Sequence, residues 1–493
     1  MLTTEEIKRL INQDSMSEKK RNARKGQAYY DGDHDIKYYR LFYYNADGKL
    51  VEDKARSNIK ICHPFFTELV DQAVQYILSG DEEIIKSDDS KLQTALNRYF
   101  YDDESFIKEL SEVLTGGFSK GFEYMYAYKN KEDRIAFMCA DSLGVIEVRE
   151  NDTDTENKYI IHPYISHTDD DGQQIIRIEV WDEKNIYYYV QEGNGEIKLD
   201  NSIKLNPKPH TLYKKEGDNK LYYGEFGFIP FFRLDNNKKQ TSSLKPVKDL
   251  IDDYDLMASS LSNNLVDFDT PMHIVKGYEG DNLDELQQNI KTKKIVGVDS
   301  EGDIEIKTVD VPYQARLTKL ELDEKNIYRF GMGLNTAGLK DTNATTNVAI
   351  KAAYSLLDLK CSKMIINLKQ FLRKIIKVVL QEINTANKTD YQMKDVYFNF
   401  NPEVMSNAKE NADIELVEAQ RKQAEITTLL NIQALLDNET LMQLICEQLD
   451  IDYEEIKGKL PDPDEATKEV DAAQAVLQDI PADNIGGDGM GGD

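Results

Sequence analysis

The feature that most restricts the fold is the order of segments between residues 244 and 384. Val247, Leu250, Ile251, Tyr254, Met257, Leu261, Leu265 and Phe268 recur at intervals of three and four, which sets them on one face of a helix. Over 244–269 such a helix reaches about 39 Å, and Pro271 and Gly277 close it. An insert follows. A short helix is expected over 283–290, capped by Asn282, then a hairpin pairing 294–298 with 304–308 around the turn 299–303. Past Pro312 a second helix is expected over 313–330, with Leu317, Leu320, Ile327 and Phe330 buried. A polar loop over 331–343 then opens the longest helix, 346–384, about 58 Å long. Its apolar face carries Ala353, Leu357, Cys361, Met364, Leu368, Ile375 and Val379. Two long helices that carry a small β-module at one end make a poor pocket. They suit a stave in a ring.

The remaining chain, 493 residues in all, is long enough for two to four domains or lobes. No apolar run approaches the eighteen or so residues of a membrane span, and the N-terminus lacks a signal-peptide pattern. Cys62, Cys139, Cys361 and Cys446 are scattered and form no C-x-x-C, so reduced thiols of a cytoplasmic protein are expected. The net charge of −28 argues against nucleic-acid binding over the general surface, because release of phosphate counterions needs clustered Lys and Arg. A local basic patch, or a repulsive wall along which DNA slides, stays compatible with it.

In chain order, helices are expected over 4–12 and 17–30, the second carrying Lys19, Lys20, Arg21, Arg24 and Lys25 as a solvated basic face. Phe65, Leu69, Val70, Ala73, Ile77 and Leu78 mark a buried helix after Pro64, and another is expected over 104–114. From 123 to 232 the period changes to two, with strands near 124–128, 134–139, 145–149, 159–164, 174–181, 186–191 and 196–199, an antiparallel lobe with a hairpin turn at Glu192-Gly-Asn-Gly195. A strand near 396–400 and helices over 410–436 and 439–449 follow. The end, 461–493, sets nine acids against Lys468 and reads as disordered.

Catalytic signatures are missing. Gly116-Gly-Phe-Ser-Lys-Gly121 has Phe122 where a phosphate loop needs lysine, and Gly331-Met-Gly-Leu-Asn-Thr336 lacks the third glycine of a dinucleotide fingerprint. His167-Thr-Asp-Asp-Asp-Gly172 fails as a calcium loop and reads as an acidic turn. The six histidines form no H-E-x-x-H, so no metal and no cofactor are assigned. One feature departs from the acidic background: between 348 and 388 eight bases (Lys351, Lys360, Lys363, Lys369, Arg373, Lys374, Lys377 and Lys388) face only Asp358 and Glu382, a net +6. That helix packs on an acidic neighbour or meets phosphate.

Several stretches resemble phage portal proteins in that family's order. These are Tyr29-Tyr-Asp-Gly-Asp-His-Asp-Ile36, Asn58-Ile-Lys-Ile-Cys-His-Pro-Phe-Phe66, Leu69-Val-Asp-Gln72, Tyr76-Ile-Leu-Ser-Gly80, Phe226-Gly-Phe-Ile-Pro-Phe-Phe232, Asn236-Asn237, Asp249-Leu-Ile-Asp-Asp-Tyr-Asp255, Leu265-Val-Asp-Phe268 and the segment from Ala349 to Lys360. They are most similar to portals of long-tailed phages of Gram-positive bacteria. The resemblance implies an α+β portal fold with a mixed wing lobe, an antiparallel sheet, a two-helix stem, a small α/β clip, a long wing helix and a helical crown. Its map gives wing 1–240, first stem helix 241–269, clip 270–312, second stem helix 313–330, tunnel loop 331–347, long helix and return to the wing 348–403, crown 404–460 and acidic tail 461–493. It implies a non-enzymatic ring, usually of twelve copies, at one capsid vertex of the virion. That ring, assembled in the host cytoplasm, would pass double-stranded DNA without reading its sequence. Terminase, scaffolding and major capsid proteins and a head–tail adaptor would be its partners, and no membrane.

On that map Asn335, Thr336, Lys340, Thr342 and Asn343 line the DNA channel. Lys291, Lys293, Lys294, Asp299, Glu301 and Asp303 form the docking clip, and Leu250, Tyr254, Met257, Leu261, Leu265, Leu317 and Leu320 pack subunits at the stem. Ser259, Ser260, Ser262, Asn263 and Asn264 let helices approach closely, and glycines 331, 333 and 338 let the loop shift. The alternative is a structural head or tail protein that forms a lattice without conducting DNA.

Overall fold

The computed structural model describes residues 2–54, 56–80, 83–102, 105–151, 156–169, 172–193, 195–214, 217, 220–268, 272–276, 303–307, 312–335, 347–400, 408–431 and 438–448. By contacts the chain forms two units, 1–343 with 351–404, and 344–350 with 405–493.

The first unit opens with α1 (Thr4–Ser15), started by a capping box in which Thr3 and Glu6 exchange hydrogen bonds, and α2 (Glu18–Tyr30), capped by Ser17. β1 (Phe42–Tyr44) and β2 (Leu50–Glu52) make a hairpin. Then come α3 (Phe65–Leu78), β3 (Ile85–Lys86), α4 (Ser90–Phe100) and α5 (Ser105–Lys120). α4 escaped the sequence reading: only Leu92, Leu96 and Phe100 are buried on it, and its start depends on Asp89 accepting the Lys91 and Leu92 amides.

The period-two region forms two main sheets rather than one lobe. In the first, β4 (Phe122–Lys129) is flanked by β5 (Ile135–Ala140) and by β14 (Phe231–Asp235), a partner about a hundred residues later. The second runs in the order β10 (Lys198–Leu199), β9 (Asn185–Glu192), β8 (Gln174–Trp181), β7 (Tyr159–Thr168) and β6 (Ile146–Val148), with β11 (Lys208–Pro209) also on β9. β12 (Tyr213–Lys214) and β13 (Leu221–Tyr222) pair apart from it.

α6 (Lys248–Phe268) and α7 (Tyr313–Gly331) are the two helices expected from the periodicity. Between them β15 (Met272–Lys276) pairs antiparallel with β16 (Asp303–Lys307), and with no other described strand. The expected strand 304–308 is therefore present, but its described partner is 272–276, which the sequence reading left as the helix stop; 283–290 and 294–298 lie outside the described residues. α8 (Asn347–Asn387), from Lys351 onward, and β17 (Tyr397–Phe398), paired with β3, complete the unit. The second unit contains α9 (Ala408–Asn431) and α10 (Asn438–Gln448).

The main core joins α3, α4, α5, α8 and the β4 sheet through residues such as Phe66, Leu96, Phe118, Met125, Leu234, Met364, Leu368, Phe371 and Val379. The expected face of α8 is the one that is buried, from Leu357 to Val379, with Ala353 at its edge. A second cluster packs Phe122, Tyr124 and Trp181, and a third sets Ile7 of α1 against Ile146, Ile161, Ile178 and Val180.

The basic run on α2 is solvated at Arg21, Arg24 and Lys25 but not at Lys19 and Lys20. Lys20 is 1% exposed, and its ammonium donates to the carbonyls of Ser142, Leu143 and Val145 and pairs with Asp14 at 3.0 Å. Lys19 lies 3.8 Å over the Phe122 ring, and burial depresses its pKa to about 8. Gly26 lets α2 approach this closely: a Cβ there would meet the Ser119 carbonyl oxygen at 1.9 Å.

Candidate functional site

α6 holds a neighbouring chain segment by a ladder of polar side chains. Asp255, Ser259, Asn263 and Asp267 follow one another at intervals of four, so they share one face of the helix. The segment 57–63 runs antiparallel to them, and its alternate backbone amides donate to that face. His63 N–H reaches Asp255 Oδ1 at 2.9 Å, Ile61 reaches Ser259 Oγ at 3.0 Å, Ile59 reaches Asn263 Oδ1 at 2.6 Å and Ser57 reaches Asp267 Oδ1 at 3.2 Å. The match is metrical. Four helical residues advance about 6 Å, while two residues of extended chain advance about 6.6 Å, so the two repeats stay in step over three intervals. Ser259 is therefore not a small residue that admits another helix; it is an acceptor for a backbone that would otherwise lack a partner.

The inner end of the ladder is a buried polar cluster. Asp255 is fully buried, its Oδ2 lies 2.6 Å from His34 Nδ1, and its Oδ1 lies 2.8 Å from His63 Nδ1. Burial pushes the Asp255 carboxyl up, but the hydrogen bonds from His34 and His63 outweigh it and hold the group below its usual value. One turn earlier Lys248 bridges Asp252 at 2.5 Å and Asp35 at 2.8 Å, while Tyr29 donates its hydroxyl to Asp252 and stacks on His34 at 4.5 Å.

A second set of contacts joins α6 to α7. Lys319 reaches Asp253 on α6 at 2.5 Å and also pairs with Asp323 on its own helix. With its amide oxygen turned toward α7, Asn264 accepts from the Arg316 guanidinium at 2.6 and 3.0 Å. The buried face of α7 is Asp323, Ile327 and Tyr328. Leu317 and Phe330, expected inside, are 47% and 51% exposed. Leu317 lies on the same side of α7 as Ile327 and Tyr328 but in the N-terminal part of the helix, where none of the residues before Asp323 is buried, whereas Phe330 lies off that side. Along the stem, Leu250 and Tyr254 pack on the main core; Met257, Leu261 and Leu320 are half-buried; Leu265 is 54% exposed. Val266, Tyr313 and Leu322 are also exposed, so several large apolar side chains of the two helices stand uncovered.

The base of the expected loop is fixed rather than loose. α7 ends with Met332 in the left-handed conformation, and the Gly333 amide returns to the Tyr328 carbonyl at 2.9 Å, a Schellman-type end. A Cβ on Gly331 or Gly333 would come within 2.5 or 2.2 Å of the Leu69 side chain, so both glycines serve close packing on α3, not the loop motion expected of them. Gln72 holds Leu334 by both backbone groups at 2.9 Å. Lys360, half-buried, donates to the carbonyls of Leu69 at 3.0 Å and Gly331 at 3.2 Å, and burial depresses its pKa to about 8. It acts as a structural cation here, whereas Lys363, Arg373, Lys374 and Lys377 are exposed on α8.

Of the expected channel residues, Asn335 is described: it is half-buried, with its amide 3.4 Å from Glu324. Thr336, Lys340, Thr342 and Asn343 lie outside the described residues, as do Lys291, Lys293, Lys294, Asp299 and Glu301. Asp303 begins β16. The ladder residues were missed as a set although they carry a legible signal, four hydrogen-bonding side chains spaced by four along one helix.

Residues 9–456 match the family model for phage portal proteins of the SPP1 Gp6-like type. The portal protein of Bacillus phage SPP1 is 26% identical over 368 residues, which cover 74% of this chain and 71% of the relative. The portal protein of Clostridium phage phiCD119 is 24% identical over 427 residues, covering 83% and 88%. Among solved structures, a chain in the neck of the native GTA particle computed with C12 symmetry aligns over 77% of this chain and 90% of its own, at 12% identity and a TM-score of 0.36.

Proposed function

The chain belongs to the phage portal proteins of the SPP1 Gp6-like family, and from that premise we propose how its parts serve a homo-oligomeric ring in the virion. Portal proteins are structural components of the phage particle, so the alternative of a lattice protein that conducts no DNA is set aside. The ring contains twelve copies, with α6 and α7 standing as its stem. The observation that carries this reading is the set of large apolar side chains, Leu265, Val266, Tyr313, Leu317, Leu322 and Phe330, left exposed on a helix pair that is otherwise tightly stapled. Exposed apolar side chains gathered on one helix pair call for a partner, and in a closed ring the partner is the neighbouring copy.

The insert 270–312, including Lys291, Lys293, Lys294, Asp299, Glu301 and Asp303, docks terminase during packaging and a head–tail adaptor afterwards. Residues 336–346 form the lip of the channel, where Lys340 and the Asn and Thr side chains touch the DNA backbone without reading bases. The net charge of −28 supports passage over capture, since attraction at every phosphate would arrest the duplex. Assembly proceeds in the host cytoplasm with scaffolding and major capsid proteins. No helix among the described residues is long and apolar enough to cross a membrane.

Electron-microscopic class averages and native mass spectrometry of the purified chain test this directly. Closed rings of twelve with an axial hole are expected. A monodisperse monomer at high protein concentration refutes the stem assignment. Lys340→Ala should assemble normally and alter DNA retention or packaging; failure to assemble would show a structural role instead.

A further inference from the structure

We propose that His34, Cys62 and Asp255 form a binding site for one zinc-type divalent cation, placed where the loop after α2, the segment entering α3 and the first stem helix meet. One donor atom from each residue lies within 4.8 Å of the other two. His34 and Asp255 are fully buried and Cys62 is half-buried, so the cluster is enclosed on two sides and reachable on the third.

The hydrogen bonds around the cluster hold its donors in place. His34 Nδ1 lies 2.6 Å from Asp255 Oδ2, a hydrogen-bond distance, so a proton closes the pair when no ion is bound. His34 Nε2 lies 3.3 Å from the Tyr29 carbonyl oxygen, an acceptor for the ring proton once a cation replaces the one on Nδ1. The other carboxylate oxygen is already committed: Oδ1 takes the His63 backbone amide at 2.9 Å and meets the His63 ring at 2.8 Å. The arrangement matches the outer bonds of a metal site, in which the ligating imidazole donates its second N–H to a carbonyl and the ligating carboxylate is itself held in place.

The donor set selects the ion. One thiolate, one imidazole and one carboxylate favour zinc or cobalt over magnesium or calcium, which prefer shells of oxygen. Bonds of about 2.0–2.1 Å to nitrogen and oxygen and about 2.3 Å to sulfur set tetrahedral donors roughly 3.3–3.8 Å apart, so His34 Nδ1 and Asp255 Oδ2, 2.6 Å apart, would open on binding. Three protein donors leave a fourth position for water. No sequence motif announces the site because its ligands come from three separate segments.

The full-length chain, reduced and freed of metal with chelator, would be titrated with Co2+ and Zn2+. The wild type should bind one Co2+ per chain with the strong visible bands of tetrahedral cobalt and a near-ultraviolet thiolate-to-cobalt band. Cys62→Ser should lose the thiolate band and bind at least tenfold more weakly while keeping the wild-type circular dichroism spectrum. A weak octahedral spectrum, or one indifferent to Cys62→Ser, overturns the proposal. A second measurement needs no variant: Zn2+ should slow alkylation of Cys62 in the wild-type chain at least tenfold, with Cys139 as internal reference. Unchanged Cys62 alkylation at saturating Zn2+ refutes the site, and ring assembly can succeed or fail independently of either result.

Discussion

Removing one rung of the α6 ladder should release one backbone amide and spare its neighbours. In Ser259→Ala the Ile61 N–H loses its acceptor at 3.0 Å, at a position where Ser259 is only 2% exposed. A buried donor left without a partner costs about 1–3 kcal/mol, and because Ile61 is half-buried the lower part of that range applies, about 1–2 kcal/mol. Alanine returns a few tenths of a kcal/mol through its higher helix propensity, so global stability understates the loss. Local hydrogen exchange does not. With about 1.4 kcal/mol per factor of ten, exchange of the Ile61 amide should quicken by about 5–30-fold, read by exchange mass spectrometry with single-residue fragmentation. The amides of Ser57, Ile59 and His63 should change less, and those of Asn58 and Lys60, on the opposite side of an extended chain, should already be fast. Ser260→Ala, one position around the helix, is the control. An unaltered Ile61 amide, or equal protection of 58 and 59, would show that the segment is held by packing and not by the ladder.

The other expectations concern buried charge and close packing. Gly26→Ala should destabilise the chain by about 3 kcal/mol, since a Cβ 1.9 Å from the Ser119 carbonyl oxygen forces α2 off α5; an unfolding free energy from urea titration within about 1 kcal/mol of wild type would contradict this. Burial depresses Lys360 to about 8 from 10.5, so between those values the unfolded chain binds the proton that the folded chain has released, and stability rises with pH. Relative to Lys360→Met the wild type should gain about 2 kcal/mol from pH 8 to 10 in urea titrations, and a flat difference refutes it. Glu123 has the opposite sign. Burial raises it to about 7 although Lys120 lies against it, so the folded chain keeps a proton that the unfolded chain loses above 4.5. Relative to Glu123→Gln, wild-type stability should fall by about 2 kcal/mol from pH 5 to 7, and a rise would mean that the ion pair with Lys120 dominates.

The exposed and buried sides of α8 could be read from periodicity because that helix packs along most of its length on one continuous core, so its burial repeats every turn. α7 misled the same reading. Its burial is confined to the stretch from Asp323 onward, so Ile327 and Tyr328 are inside while Leu317 and Leu322, earlier on the helix, and Phe330, off the buried side, are exposed. Lys20 and Lys360 show a similar limit, because a lysine's letter does not say whether carbonyls from distant segments will surround it. Gly331 and Gly333 were given the wrong reason: they sit against Leu69, some 260 residues away in the chain, and not at a hinge.

What the chain determines by itself is therefore local and periodic. It sets where α6, α7 and α8 begin and end, that strands fill 122–235, that the balance is acidic, and, through residues in family order, that this is a portal protein. What the tertiary structure decided is every pairing between remote segments: β14 beside β4, 272–276 beside 303–307, segment 57–63 on the α6 ladder, and His34 with Cys62 at Asp255. The physical reason is that helix and strand formation is governed by neighbours within about four residues, whereas satisfying a buried amide or carboxylate depends on whichever group the fold delivers to it.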